Sequence, residues 1–361
     1  MTLKLEQTLS IAAWLAALAF ALTGTATAQT FSGKTIIEII NYPAGGPTDI
    51  EGRIVAKHLP DHLPGHPGVI VKNMGGAAGL IGANALGEAT PNAETFGFFT
   101  METATQILGN PAIHTPLADF VLVAGVESPL VAYMRRDTPP GVNVPADLMK
   151  TKDFKALTLN GQNSNTLNLT LSLDLLGVSY VPVPAYVGLK EVETAILQNT
   201  GQMANTSLSG WIGSAEPALG KLVIPIWQLT ARGAKGDYPR SANLPNLQTF
   251  EEFYASVKGK PPSADDIRYR ALRTMIDPQL AMFRMVLLPP KTPAATVAIM
   301  RQAFEEMWTD RAFLSDYARV MKAEPVLIPG AQGQMLLAEI GTVPKPIKDF
   351  LVDYSTRMTS K

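Results

Sequence analysis

Residues 41–49 read NYPAGGPTD, and their types suit one kind of chemistry, the holding of an anion without making or breaking a bond. Gly45 and Gly46 let backbone N–H groups approach a ligand, and a helix starting at Thr48 and Asp49 would add the positive end of its dipole. Tyr42, Pro43 and Ala44 complete the loop. Taken alone, these residues fit an inert strand-to-helix turn equally well. A second stretch, Gly75-Gly76-Ala77-Ala78-Gly79, shifts the balance, because two such loops at adjacent strand ends converge in space. Asn163, Ser164 and Thr166 would face them with neutral donors, or simply cap a helix.

Sharper chemistries fail on spacing. Gly33-Lys34-Thr35 ends like a Walker A loop, but Ala28 stands where its first glycine is needed, and the second glycine stretch lacks G-x-G-x-x-G spacing. His58, His62 and His66 recur every fourth residue, yet Pro60 and Pro64 interrupt the helix that would align them, so no metal is expected. No serine lies in a G-x-S-x-G elbow, and Asp265-Asp266 reads as a helix start. The expectation is a binding protein with no cofactor and no catalytic group.

The elements that must position these loops follow from periodicity. The β-branched run 35–40 predicts a strand apolar on both faces, suited to parallel pairing. Thr48 followed by Glu51 matches a capping box, and Ile50, Ile54, Val55 and Leu59 form the apolar stripe of a helix ending at Pro60. Strands at 69–71 and 95–101, with a small-residue helix between them, complete a β-α-β-α-β unit. The same grammar recurs with a strand at 156–160, a helix at 167–176, a Tyr186 loop, a helix at 189–198 and a strand at 223–229. The architecture is two α/β lobes, and ligands of such sheets bind outside the strands' carboxyl ends.

Composition narrows the class. A chain of 361 residues with 46% hydrophobic and 17% charged residues is globular, and Lys+Arg 30 against Asp+Glu 31 leaves no basic field for nucleic acid. Lys4, the apolar stretch 9–22 and Ala26-Thr27-Ala28 predict an export signal cleaved after Ala28. With Cys 0 the exported chain can form no disulfide, and a bacterial periplasm fits best.

These residues resemble a known family. Tyr42-Pro43-Ala44-Gly45-Gly46-Pro47-Thr48-Asp49, with Arg53 beyond it, is similar to the first signature of the Bug family, the TctC-like periplasmic receptors of tripartite tricarboxylate transporters. In order along the chain, residues 73–82, Asn110-Pro111, residues 161–165 and Pro289-Pro290-Lys291-Thr292-Pro293 resemble its later motifs. Lys72, Gly75 and Ala78 depart from its usual Glu, Pro and Gly, and Pro184-Ala185-Tyr186-Val187-Gly188 departs from its V-P-Y-K-G region. The resemblance implies a type 2 periplasmic binding protein fold, α/β, with two lobes joined by two crossover segments and the ligand cleft between them. The implied division is a signal peptide at 1–28, lobe I at 29–128, lobe II at 129–284, and a return to lobe I with C-terminal helices at 285–361. It further implies a monomer that captures a small carboxylate (a dicarboxylate, tricarboxylate, amino acid or aromatic acid) for the membrane components of such a transporter. The alternative is a periplasmic sensing subunit of a signalling system. The carboxylate would be held by backbone groups of the two first-lobe loops without an arginine clamp. Asn163, Ser164, Asn165, Thr166, Tyr186 and Ser207 would select the rest of the ligand from the second lobe, with Thr103 beside them at the third strand's end. A carboxylate in an anion site repels its ligand, so Glu102 is expected to face outward; the alternative is that it binds an amino or hydroxyl group. The stretch 256–278, longer than the family usually has, reads as a surface elaboration or partner contact.

Overall fold

The computed structural model describes residues 31–233, 235–340 and 342–359. The expected signal peptide lies outside them, and no helix among the described residues is long and apolar enough to cross a membrane. Thr35–Ile40 (β1) pairs in parallel with Gly68–Asn73 (β2) and Thr95–Thr100 (β3), as its two-sided apolar pattern predicts. Helix α1 (Pro47–His58) follows the first loop and α2 (Leu80–Gly87) the second, while α3 (Thr103–Leu108) leaves β3. The start of α1 differs from the predicted capping box. Its N-cap is Gly46 with Pro47 at N1, and no side chain caps it. The Thr48 hydroxyl instead bonds Thr100 Oγ1 at 2.7 Å, and Glu51 is drawn inward to Arg284.

The first sheet is mixed. Val121–Glu127 (β4), Arg284–Leu288 (β10) and Val326–Pro329 (β11) extend it in the order β11-β4-β10-β3-β1-β2, with β10 antiparallel to both neighbours. The second sheet holds Leu130–Arg135 (β5), Phe154–Thr158 (β6), Tyr180–Pro184 (β7), Met203–Ser207 (β8) and Val223–Leu229 (β9), ordered β7-β6-β8-β5-β9. The chain therefore enters the second sheet between Glu127 and Leu130 and is back in the first at Arg284. Ser164–Leu176 (α4) and Leu189–Leu197 (α5) follow β6 and β7.

The stretch 256–278 is surface only in its first half: residues 258–265 are exposed or half-buried, while the helix that follows enters the core. After Phe250–Lys258 (α6), Ile267–Ala281 (α7) is capped by Asp266, which accepts from Arg268 N–H. It packs against α4, α3 and the C-terminal helix Lys345–Thr359, burying Leu272, Met275, Ile276 and Leu280 completely. Each such side chain is worth roughly 1.5–3 kcal/mol over its exposed state. One apolar cluster runs from Phe99 of the first sheet through Met275 and Leu280 to Ala132 and Trp227 of the second. Helix α7 is thus shared core between the lobes.

Candidate functional site

The first loop is shaped from within. Gly45 takes a left-handed φ of 80°, and its N–H donates to Asp49 Oδ2 at 2.8 Å. Asp49 also accepts from Arg53 Nε at 3.0 Å and from Asn73 Nδ2 at 2.9 Å. Burial pushes its carboxyl up, but Arg53, the Gly45 N–H and Asn73 outweigh burial and hold it below the usual range. The expectation that Gly45 exposes its donor is therefore corrected, since an internal carboxylate four residues on already uses it. Asp49 supports the loop from behind.

The loop borders a cavity of about 80 Å³ between the two sheets, room for roughly half a dozen water molecules. Tyr42, Pro43, Ala44, Gly46 and Thr48 line it from the first lobe, and Asn163, Asn165 and Ser207 from the second. Glu102 also lines it, against the expectation that it faces outward. Its carboxylate is rescued from isolation by donors. Tyr42 OH and Asn163 Nδ2 (3.1 Å) donate to Oε1, and Ser164 N–H donates to Oε2 at 3.2 Å. Burial dominates all the same and pushes its pKa up to about 7, with Tyr42, Ser164 and Asn163 opposing. Burial and the Glu102 charge drive the Tyr42 phenol well above its ordinary value, so Tyr42 acts as a donor.

An arginine stands in the same wall. Arg284 is 2% exposed, and its guanidinium bonds Glu51 Oε2 at 2.7 Å, Thr100 Oγ1 at 2.9 Å and Ser209 Oγ at 3.3 Å while lying over the Phe283 ring. The signal for it was a lone arginine inside the apolar run 282–288. Gln279 of α7 lines the cavity too and fixes the end of β3 by donating to Met101 O at 3.0 Å.

Helix α4 supplies the floor. Asn163 caps it by accepting from Asn165 N–H at 2.8 Å, so its capping role and its place at the cavity coexist. Asn168, fully buried, lines the cavity with Asn165, and Asn165 Oδ1 and Asn168 Nδ2 have no partner within the protein. Ser164 and Thr103 turn into the lobe contact, with Ala104 N–H donating to Ser164 Oγ at 3.0 Å and Thr103 Oγ1 donating to Gln279 at 3.3 Å. Thr166 is fully buried and lies outside the cavity lining.

The second glycine loop is absent from the lining of this cavity, although Ala78 and Gly79 border a small neighbouring cavity that Thr100 and Glu102 also line. Gly76, Ala77, Ala78 and Gly79 border a cleft of about 250 Å³ with Tyr186, and Tyr42, Pro43, Leu159 and Asn163 line both spaces. The histidines also diverge: His58 contacts Asp316 at 2.9 Å, His62 Asp310 at 3.2 Å and His66 the Pro60 carbonyl at 3.2 Å.

The chain matches no family model. Among curated proteins it is similar to Protein BugT of Bordetella pertussis, with 38% identity over 69 residues, 19% of this chain and 21% of BugT. It is also similar to the UPF0065 protein in the TAR-I ttuE-ttuC' intergenic region of Agrobacterium vitis, with 28% identity over 176 residues, 47% of this chain and 49% of that one. The chain thus spans about a fifth of one curated relative and about half of the other. Among solved structures, the periplasmic binding protein BugD superposes with a TM-score of 0.61 at 18% identity, covering 91% of this chain and 97% of BugD. A TctC solute binding protein from Polaromonas gives 0.58 at 19% identity, covering 91% and 100%. The chain resembles the Bug and TctC-type receptors and has their fold. A further structure of this fold, Rpa4515 of Rhodopseudomonas palustris with adipate, gives 0.67 at 18% identity over 90% of this chain and 97% of that one. The two α/β lobes expected of a type 2 periplasmic binding protein are therefore present, and the cavity of this Bug-like chain lies between them.

Proposed function

We propose that the chain is a periplasmic receptor that captures a small carboxylate between its lobes and passes it, chemically unchanged, to the membrane components of a tripartite tricarboxylate-type transporter. One observation carries this reading. Both lobes line a single cavity whose wall holds buried polar atoms, Asn165 Oδ1 and Asn168 Nδ2, that the protein itself leaves without partners. Such atoms cost free energy unless something bonds them, so a site that carries them is built for a polar guest. Adipate in one structure of the same fold supports a carboxylate as that guest. Binding needs neither nucleophile nor base, and closure around the ligand supplies the signal to the membrane partner. Thermal-shift and calorimetric titration of the purified protein with di- and tricarboxylates, amino acids and aromatic acids should raise its melting temperature for at least one of them. Silence across the whole panel would sink the proposal. Deleting the transporter's membrane components should then abolish uptake of that compound.

A further inference from the structure

The hydrogen bonds of the cavity floor fix which way its amides point. Asn165 Nδ2 donates to the Asn205 backbone carbonyl at 3.2 Å, so the partnerless Oδ1 of Asn165 is an acceptor. Asn205 Nδ2 donates to the Asn165 carbonyl at 3.2 Å and also to Asn168 Oδ1, so the partnerless atom of Asn168 is a donor. The floor thus offers one acceptor and one donor.

The charges in the wall divide the same way. Arg284 is neutralised by Glu51 behind it, and Lys190, the other cation of the lining, turns its Nζ to Glu193 at 3.0 Å and Ser214 at 2.7 Å. Glu102 has neutral donors around it but no cation bonded to it. A second carboxylate brought near it would meet like charge in a poorly screened space. Glu102 and Asn165 also share a neighbour, since Asn163 donates to the first and accepts from the second, which gathers the acceptors on one side. The donors left include Asn168 Nδ2 and the guanidinium of Arg284, for which three protein bonds are found where five N–H groups exist.

We infer that the ligand is a small zwitterion of the amino-acid class, whose ammonium faces Glu102 and Asn165 Oδ1 and whose carboxylate faces Asn168 and Arg284. This rests on the cavity being the ligand site, as proposed above. The cavity's small volume suits an amino acid of few heavy atoms. No bond is made or broken; the ammonium stabilises the ionised form of Glu102, and the proton that Glu102 releases goes to solvent.

Two isosteric series separate this from other carboxylate readings: L-alanine, L-lactate and propionate, and L-aspartate, L-malate and succinate. Within at least one series the amino member should bind at least tenfold more tightly than the other two, by calorimetry. Glu102→Gln should erase that preference mainly by weakening the amino member. On the wild-type protein, affinity for the amino member should rise from about pH 6 to about pH 8 as Glu102 ionises, while affinity for succinate should fall. Tyr42 stays protonated across that range, and Glu102 is the carboxylate of the lining. Tighter binding of a hydroxy acid or plain acid, or affinity for the amino member that falls with rising pH, would overturn the inference while leaving a carboxylate receptor intact. Absence of binding by every carboxylate tried would remove both.

Discussion

The two glycine-rich loops look alike in sequence and do different work. In the first, a Cβ added at Gly45 would meet nothing within 4 Å and one at Gly46 only the Pro43 carbonyl at 3.5 Å, so this loop stands open beside the cavity. In the second, a Cβ at Gly79 would lie 2.6 Å from Asn41 Nδ2 and one at Gly75 2.9 Å from Pro43. Four successive residues there, from Gly76 with φ 118° through Ala77 at 48° and Ala78 at 55° to Gly79 at 84°, hold left-handed or related backbone. The glycines of the first loop face open space; those of the second press against the first loop and the end of β1. Glycine content signals close approach but does not say whether the approaching partner is a ligand or the protein itself.

That contrast can be broken by substitution, and the largest effect is expected at Gly79. Asn41 cannot yield, because it accepts from Thr100 N–H at 3.0 Å and donates to Thr100 O at 3.1 Å, so Gly79→Ala combines a clash with an unfavourable φ. A loss of about 3 kcal/mol is expected by denaturant titration. Loss of ligand affinity at unchanged stability would mean that the second loop holds ligand after all.

An effect of similar size should come from Glu102, through pH. Its folded pKa of about 7 lies above the ordinary 4.5, so the native state binds the proton more tightly than the unfolded chain. The stability this group contributes is full below about pH 4.5 and is lost as pH rises through about 7, a swing on the order of 3 kcal/mol. The difference between wild-type and Glu102→Gln melting curves should follow that window, and a pH-independent difference would refute the buried, inward placement. Glu38, fully buried on β1 with neither carboxylate oxygen partnered, is raised by the same burial and adds a slope of the same sign to both proteins. The difference curve cancels it.

A smaller cost in stability is expected at Asp49. Asp49→Ala frees the Gly45 N–H and removes the carboxylate acceptor of Arg53 and Asn73, which keep only their bond to each other and that of Asn73 to the Tyr42 carbonyl, at about 2 kcal/mol. Its distinguishing mark should be on binding, with affinity reduced at least tenfold because the first loop loses its internal support. Unchanged affinity would make that loop a bare turn.

Much of the scaffold was legible because local rules act alone in it. The β-branched run of β1, the glycines after it and the Asp266 cap each determine their own surroundings. The site was less legible, because its residues answer to partners far away in the chain. Arg284 turns inward to meet Glu51, 233 residues earlier, and the same pairing removes Glu51 from the predicted capping box. Charge repulsion alone would turn Glu102 outward, but donors from Tyr42, Asn163 and Ser164 hold it in. The period of two along β3 places it on the side of Thr100, a cavity residue, and that was the available clue. Asn168 hides among alternating polar and apolar residues of a helix buried on nearly every face.

The central claim, that ligand is held by the first loop and the floor of α4, is tested most directly by a crystal structure with the tightest-binding compound of the titration panel. The account predicts that compound between Tyr42 and Asn168, with its carboxylate in hydrogen-bond reach of Asn168 Nδ2 or Arg284. A compound seated instead against residues 76–79 and Tyr186 would contradict it.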